Sequence, residues 1–347
     1  MSKNLRKTLL LVAKLVLAAG LLAWVFSRVH WHDYVQEIDG KAYHRTGFAS
    51  TMAGIKPVYA SLAFVGFPLS LLVIAWRWRL LLGLQQIHVR LWEVVRLTFL
   101  GQFFNAVVPG TVGGDLVKAY YVSKHTPRKA AAVVSVLVDR VIGLTELAFL
   151  ATVMAATVWL GGLASYETIR LAVVTIAVVA VLLALAMLFL FSSSLRKWLR
   201  LQKLYRRLWI ARHIAEMGEA IRLYRKQIGR LLLAIVISFV AHLLWVGSVA
   251  MIGLSVSLEV PWYSYFLYIP LIYIIASVPL TPGGIGLVEQ FYLIFFASNP
   301  SKVLAVALMA RLIPILWGLP GAVVAITGPK LPKADTLQAE LGLDSDA

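Results

Sequence analysis

Two short stretches combine prolines, glycines and opposite charges inside otherwise apolar sequence. Asn105–Lys124, NAVVPGTVGGDLVKAYYVSK, carries Pro109, Gly110, Gly113, Gly114, Asp115 and Lys118. Thr281–Tyr292, TPGGIGLVEQFY, carries Pro282, Gly283, Gly284, Gly286 and Glu289. Proline lacks a backbone donor and glycine weakens a helix interior, so neither stretch continues as one regular helix. If the flanks lie in lipid, such backbone survives only where it is buried in protein or lines a watery cavity. The N–H groups freed at the start of a half-helix carry positive partial charge and favour an anion. Glu289, one turn into the new helix, lies favourably in the same field. The chemistry that suits these residues is non-covalent: holding and releasing a charged group at membrane depth.

Further ionisable and polar residues fall inside apolar runs. Asp139, Arg140 and Glu146 lie within 130–160, and Arg311 precedes Pro314 in the last run. Gln102 and Asn105 share a helical face just ahead of Pro109-Gly110. His242 is central in 231–254. Asp139, Gly143 and Glu146 are spaced i, i+4, i+7, so the two carboxylates stand on one stripe about 10 Å apart. Arg140 points about a quarter-turn away, toward another helix. Ionisable groups at such depth are functional candidates by default. The plain alternatives are interhelical ion pairs for Asp139 and Arg140, and a hydrogen-bonded packing role for His242. Lys14, Arg77 and Arg79 read as anchors snorkelling to the interface. The chain has no cysteine, which excludes thiol chemistry and cysteine–metal sites. No metal-ligand spacing occurs, and GGIGLVE lacks the Lys-Ser/Thr of a phosphate-binding P-loop. No cofactor, metal or catalytic residue is expected.

The elements that position these residues are transmembrane helices. Hydrophobic residues make up 60% of 347 and mean hydropathy is +0.82, well above an ordinary globular chain. Apolar runs at Leu9–Phe26, Pro57–Ala75, Leu171–Phe191, Leu231–Leu254 and Val303–Thr327 are about the 20 residues needed to span. The first follows Lys3, Arg6 and Lys7 but lacks a small-x-small cleavage site, so it reads as a retained helix. The net charge of +17 reflects basic cytoplasmic segments rather than nucleic-acid binding. Between Ser192 and Arg230, eleven lysines and arginines face only Glu216 and Glu219, whereas 30–56 is balanced in charge. The first is therefore inside and the second outside. Both flanks of 91–108 are basic, which makes it a re-entrant segment; 262–296 is a second broken element, approached from the other side. The expectation is an all-α polytopic membrane protein with about seven to eight transmembrane helices, two re-entrant or broken helical elements and an inverted repeat. Residues 1–328 form a single integral membrane domain with the basic segment 192–230, and 329–347 a short polar cytoplasmic tail. Both termini are cytoplasmic, in a bacterial-type plasma (inner) membrane.

Four motifs carry a family resemblance over most of the chain. They are the Asn105–Lys124 stretch, VDRVIGL (Val138–Leu144), TPGGIGLVEQFY (Thr281–Tyr292) and ALMARLIPILWG (Ala307–Gly318). Together they resemble the transmembrane region of lysylphosphatidylglycerol synthases, also called flippase-like membrane proteins. In fused members of that family, a soluble domain aminoacylates phosphatidylglycerol and the membrane region moves the lipid between leaflets. The resemblance carries over to Pro109, Gly110, Gly113, Gly114, Asp115, Lys118, Asp139, Arg140, Pro282, Gly283, Gly284, Gly286, Glu289 and Arg311. After Gly328 only a short tail follows, so a stand-alone member without the transferase domain is expected.

The resulting expectation is a non-enzymatic protein that translocates a lipid, whether phospholipid, aminoacyl-phospholipid or polyprenyl-linked. Lys118, Arg140 and Arg311, with backbone N–H groups, meet an anionic phosphate; Asp115, Asp139 and Glu289 pair with those cations in the empty site or meet an amino-bearing headgroup. Movement is downhill or coupled to an ion gradient through Asp139, Glu146 or Glu289. The alternatives are a secondary transporter of a small solute and a membrane-embedded lipid-modifying enzyme. Membrane lipids are the expected partners, with a homo-oligomer or a lipid-synthesising enzyme as protein partners, and no nucleic acid.

Overall fold

The computed structural model describes residues 12, 16–17, 19–27, 29–38, 41–107, 113–164, 166–191, 219–220, 222–224, 226–278 and 280–327. The chain is an all-α membrane protein with one small β-hairpin. Its elements are β1 (Tyr34–Ile38), β2 (Lys41–Arg45), α1 (Phe48–Ala53), α2 (Pro57–Leu84), α3 (Leu91–Val107), α4 (Gly113–Ser123), α5 (Lys129–Leu160), α6 (Tyr166–Phe191), α7 (Ile228–Ser255), α8 (Trp262–Ala276), a 3₁₀ turn at Pro282–Gly284, α9 (Leu287–Phe296) and α10 (Pro300–Thr327). Most of the expected first helix and of the basic segment 192–230, and all of the tail 329–347, lie outside the described residues.

Among the described residues, four helices have the length and apolarity to cross a bilayer: α2, α5, α7 and α10, at 28, 32, 28 and 28 residues. They rise roughly 42–48 Å, more than a hydrocarbon core of about 30 Å. Large apolar side chains face outward on them, among them Leu72, Val236 and Val323. Against lipid tails such a surface carries no penalty, so close packing between helices falls to small residues. The α2–α7 pair is antiparallel along its length. The Lys56 amide donates to the Ser255 carbonyl at 2.8 Å, Gly66 sits where a Cβ would strike the Ser248 hydroxyl, and Arg77 donates to Ser238. On α10, Gly318 and Gly321 let the backbone of α3 approach at Phe103 and Phe99.

Two pairs of shorter helices complete the bundle. In the first, α3 and α4, of 17 and 11 residues, pack together so closely that a Cβ on Gly114 would meet the Gly101 carbonyl. In the second, α8 and α9, of 15 and 10 residues, are joined through the 3₁₀ turn. At about 1.5 Å per residue, α4, α8 and α9 rise only about 15–23 Å. The two pairs touch where α3 meets the turn at Pro282–Gly284.

The buried apolar residues fall into two main cores. One gathers Phe67, Leu71, Leu150, Leu271, Tyr292 and Ile313; the other gathers Ala75, Trp78, Leu100, Tyr120, Val134 and Ile142. On α5 the boundary between them runs past Ile142, and on α2 between Leu71 and Ala75. Asp139, Arg140 and Glu146 straddle that boundary, forming a polar layer between two oily ones.

The hairpin pairs Tyr34 with Arg45 and Ile38 with Lys41. It is tied to the bundle through the Ser301 hydroxyl on the His30 carbonyl (3.0 Å) and the Asn299 amide on the Thr46 carbonyl (3.1 Å). The Gly47 N–H donates to Asp33 Oδ1 at 2.7 Å. That bond, with help from the Ser50 hydroxyl, holds the Asp33 carboxyl below the usual carboxylate range.

Candidate functional site

The charges of the polar layer come chiefly from three helices: Arg77 of α2, Asp115 and Lys118 of α4, and Asp139, Arg140 and Glu146 of α5. Asp139 of α5 is 6% exposed and serves two cations. Arg77 Nε donates to its Oδ1 at 2.9 Å, and Arg77 Nη2 reaches the Asp139 main-chain carbonyl at 3.3 Å. Lys118 Nζ stands 3.5 Å from Asp139 Oδ2 and 4.0 Å from the centre of the Trp78 ring. The cluster thus holds two positive charges against one carboxylate, and the negative face of the indole supplies part of the balance. Arg77 was expected to snorkel, yet it is buried. It lies two turns inside α2, which continues to Leu84 rather than ending near residue 76, so its guanidinium cannot reach the interface and turns to Asp139 instead. Arg79, two residues on, is exposed as expected.

Beside this cluster, Arg140 pairs with Asp115 of α4. Their side chains keep 28% and 21% exposure, against 5% and 9% for Arg77 and Asp139. The quarter-turn between Asp139 and Arg140 is what sends one inward to α2 and the other to α4. Asn105 of α3 accepts the Gly114 N–H through Oδ1 at 2.9 Å, satisfying a donor at the start of α4. Gln102 Nε2 reaches the Pro314 carbonyl at 3.4 Å. Gly113 opens α4; Pro109 and Gly110 lie outside the described residues.

Glu146 and His242 continue the layer. His242 Nδ1 is 3.0 Å from the Ser238 carbonyl and 3.5 Å from Glu146 Oε2, while Ser238 also receives Arg77. Glu146 is 4% exposed, and neither of its oxygens accepts a hydrogen bond among the described residues. Gly143, between Asp139 and Glu146, leaves room for both neighbours: a Cβ there would lie 3.8 Å from Arg77 Nη1 and from His242 Cε1.

The second break folds differently from the expectation of an amide-lined anion site. Gly283, Gly284 and Gly286 all take positive φ, at 59°, 67° and 78°, conformations that glycine adopts without strain. Pro282 opens the 3₁₀ turn. The start of α9 is already filled by the chain's own carboxylate: Gly286 N–H donates to Glu289 Oε2 at 2.8 Å. Arg311 then meets Glu289 Oε1 through Nε at 2.5 Å, the Gly283 carbonyl through Nη1 at 2.9 Å and the Gly284 carbonyl through Nη2 at 3.1 Å. The break thus turns two carbonyls to the guanidinium, and its Gly286 amide is taken by Glu289.

The candidate residues therefore assemble into three neighbouring groups. Lys118 joins Asp139, Asp115 joins Arg140, and Gly283, Gly284, Gly286 and Glu289 join Arg311. Glu146 stands at the edge of the first group. Sequence reasoning missed Ser238 and Trp78, and gave Arg77 to the interface. The signal for Arg77 was the need of Asp139 for a cation from a different helix.

Two comparisons with known proteins agree with this architecture. A family model described as "Lysylphosphatidylglycerol synthase TM region" matches residues 11–321. A UPF0104 membrane protein of Pyrococcus horikoshii is 25% identical over 74% of this chain and 84% of its own length.

Proposed function

Because this chain belongs to the lysylphosphatidylglycerol synthase transmembrane-region family, we propose that it translocates a lipid with an anionic headgroup between leaflets. The observation that carries this reading is the meeting of the two short-helix pairs, at α3 and the Pro282–Gly284 turn, each beside an arginine on a long helix. We read the pairs as re-entrant elements approached from opposite sides, an inverted-repeat arrangement whose binding site falls at the repeat interface. The full count is seven to eight spans, with both termini and the basic segment 192–230 on the cytoplasmic side of an inner-type membrane.

Each arginine carries an internal counter-ion: Asp115 for Arg140 and Glu289 for Arg311. A phosphate arriving through the bilayer exchanges with those carboxylates, so the guanidiniums are never left bare. Arg140 is the first contact, because both members of its pair keep partial exposure, whereas the Glu289 partner of Arg311 is buried. Arg77, Lys118 and Asp139 form the buried foundation that orients α4 and α5. Glu146, with unfilled acceptor capacity beside His242, is the group best placed to accept a proton if movement is coupled to a gradient. The protein acts as a carrier rather than an enzyme.

Leaflet exchange in proteoliposomes tests this. Fluorescent phosphatidylglycerol, its lysyl derivative and a polyprenyl-phosphate sugar are compared for wild type, Arg140→Ala and Glu289→Gln. Faster exchange of one lipid, lost in folded, inserted variants, supports the reading. Wild-type exchange no faster than protein-free vesicles for all three, with binding unchanged in both variants, sinks it and returns the charged groups to structural ion pairs.

A further inference from the structure

Away from the polar layer, where α2 ends and α7 begins, lies a groove of about 490 Å³. Its wall includes Trp76, Arg79, Gly83, His88, Arg90 and Arg230, and among the described residues no carboxylate lines it. Three arginines from three separate parts of the chain converge there. The connection that delivers two of these side chains is firmly built. Ile87 and Val89 are buried, at 2% and 7% exposure, while His88 and Arg90 alternate outward. Gln86 takes a left-handed φ of 61°. Gln85 is fully buried: its side-chain amide donates to the Ala220 carbonyl at 2.7 Å, and its own carbonyl receives Arg128 at 2.7 Å. Gly83 opens onto empty space, with nothing near a would-be Cβ.

The helix leading to the groove changes character at one point. Leu69, Leu72 and Trp76, spaced i, i+3, i+7 on α2, are exposed at 46%, 42% and 52%. That apolar stripe runs straight into Arg79 on the same face, one turn beyond. Apolar lane, aromatic ring, then three guanidiniums is the polarity profile of an amphiphile, read from tail to head. A soluble anion would use the arginines but not the stripe. Basic pockets at helix ends are suited to anionic headgroups.

We propose that this groove is a second, peripheral lipid site, which holds the headgroup of an anionic phospholipid against Arg79, Arg90 and Arg230 while an acyl chain lies along Leu69–Trp76. It lies apart from the exchange site and does not depend on translocation.

Spin-labelled phosphatidylglycerol and phosphatidylcholine in vesicles containing the full-length protein test it directly. Wild type restricts phosphatidylglycerol preferentially, and each guanidinium removed lowers that preference by about fivefold at low salt. Arg79→Gln/Arg90→Gln removes most of it; Lys124→Gln/Lys129→Gln, with the same loss of charge elsewhere, preserves it. Arg230→Gln, at an exposed position, gives the same direction and serves if the double variant does not fold. Equal restriction of the two lipids by wild type, or equal losses in the two double variants, overturns the proposal. So does full displacement by soluble glycerol phosphate at a concentration equal to the lipid's, which would make the groove a plain anion site. Leaflet exchange measured on the same samples separates this site from the carrier reading, because the groove variants keep Arg140 and Arg311.

Discussion

Asn at position 139 is the perturbation that most directly probes the polar layer. Among the described residues Asp139 is the one carboxylate shared by Arg77 and Lys118, and all three are at least nine-tenths buried. Asp139→Asn leaves two buried cations with only the Trp78 face between them, whereas Arg77→Gln leaves the Lys118–Asp139 pair neutral. Removing one partner of a buried ion pair typically costs about 3–5 kcal/mol. The Arg77 contact, with Nε at 2.9 Å and Nη2 at 2.8 Å, is a forked one, while Lys118 stands at 3.5 Å. Charge balance therefore ranks Asp139→Asn as the most damaging, at about 4 kcal/mol, with Arg77→Gln about 1–2 kcal/mol milder. Lys118→Gln added to Asp139→Asn removes one of the uncompensated cations and recovers about 1 kcal/mol or more. Unfolding free energies from detergent-to-SDS titration of the purified protein give all four values. A larger loss for Arg77→Gln than for Asp139→Asn, or no recovery in the double variant, refutes the charge-balance reasoning and leaves hydrogen-bond count as the ruling term.

Three further outcomes follow from the geometry. Arg311→Lys keeps the charge but cannot reach Glu289, Gly283 and Gly284 together, so it is expected to lose about 2–3 kcal/mol of stability in the same titration. Gly114→Ala drives a methyl into the Gly101 carbonyl and the Asn105 side chain, costing about 1–3 kcal/mol, with no such loss for Gly83→Ala, which faces open space. Because the folded-state pKa of Asp33 is depressed, its contribution is present above the unfolded value of about 3.9 and disappears as pH falls through the lower folded value. Amide exchange at Gly47 reports it: protection falls on acidification in wild type, and is already low and pH-independent in Asp33→Ala, which has no acceptor for the Gly47 N–H.

The spanning helices were legible because a 20-residue charge-poor run has few other fates in a bilayer. The second break was legible at Pro282 and its glycines for a similar reason: few sequences interrupt a helix in that way. What the break would expose was not legible. Gly283, Gly284 and Glu289 are the same letters whether amides or carbonyls face the centre, and only the positive φ values and the placement of Arg311 decide it. Arg77 was misassigned because its neighbours Trp78 and Arg79 belong to an interfacial pattern, and one helical turn separates burial from snorkelling. Asp39-Gly40, between the two strands, is a strong hairpin signal that the surrounding apolar runs overshadowed. Partner identity among Asp115, Asp139, Arg140 and Lys118 depended on which helices are neighbours, which no local pattern encodes.

The Glu289–Arg311 pair gives the bundle a built-in competitor. Any anion that binds Arg311 must displace a carboxylate already in contact with it, which competes intramolecularly. In the carrier proposed above, occupancy is brief at ordinary cargo levels, and departure needs no outside push, because the tethered group retakes the guanidinium as the cargo loosens. Weak retention is the condition for turnover in such a device. A variant that strengthened capture by deleting Glu289 would hold its passenger longer and move it less.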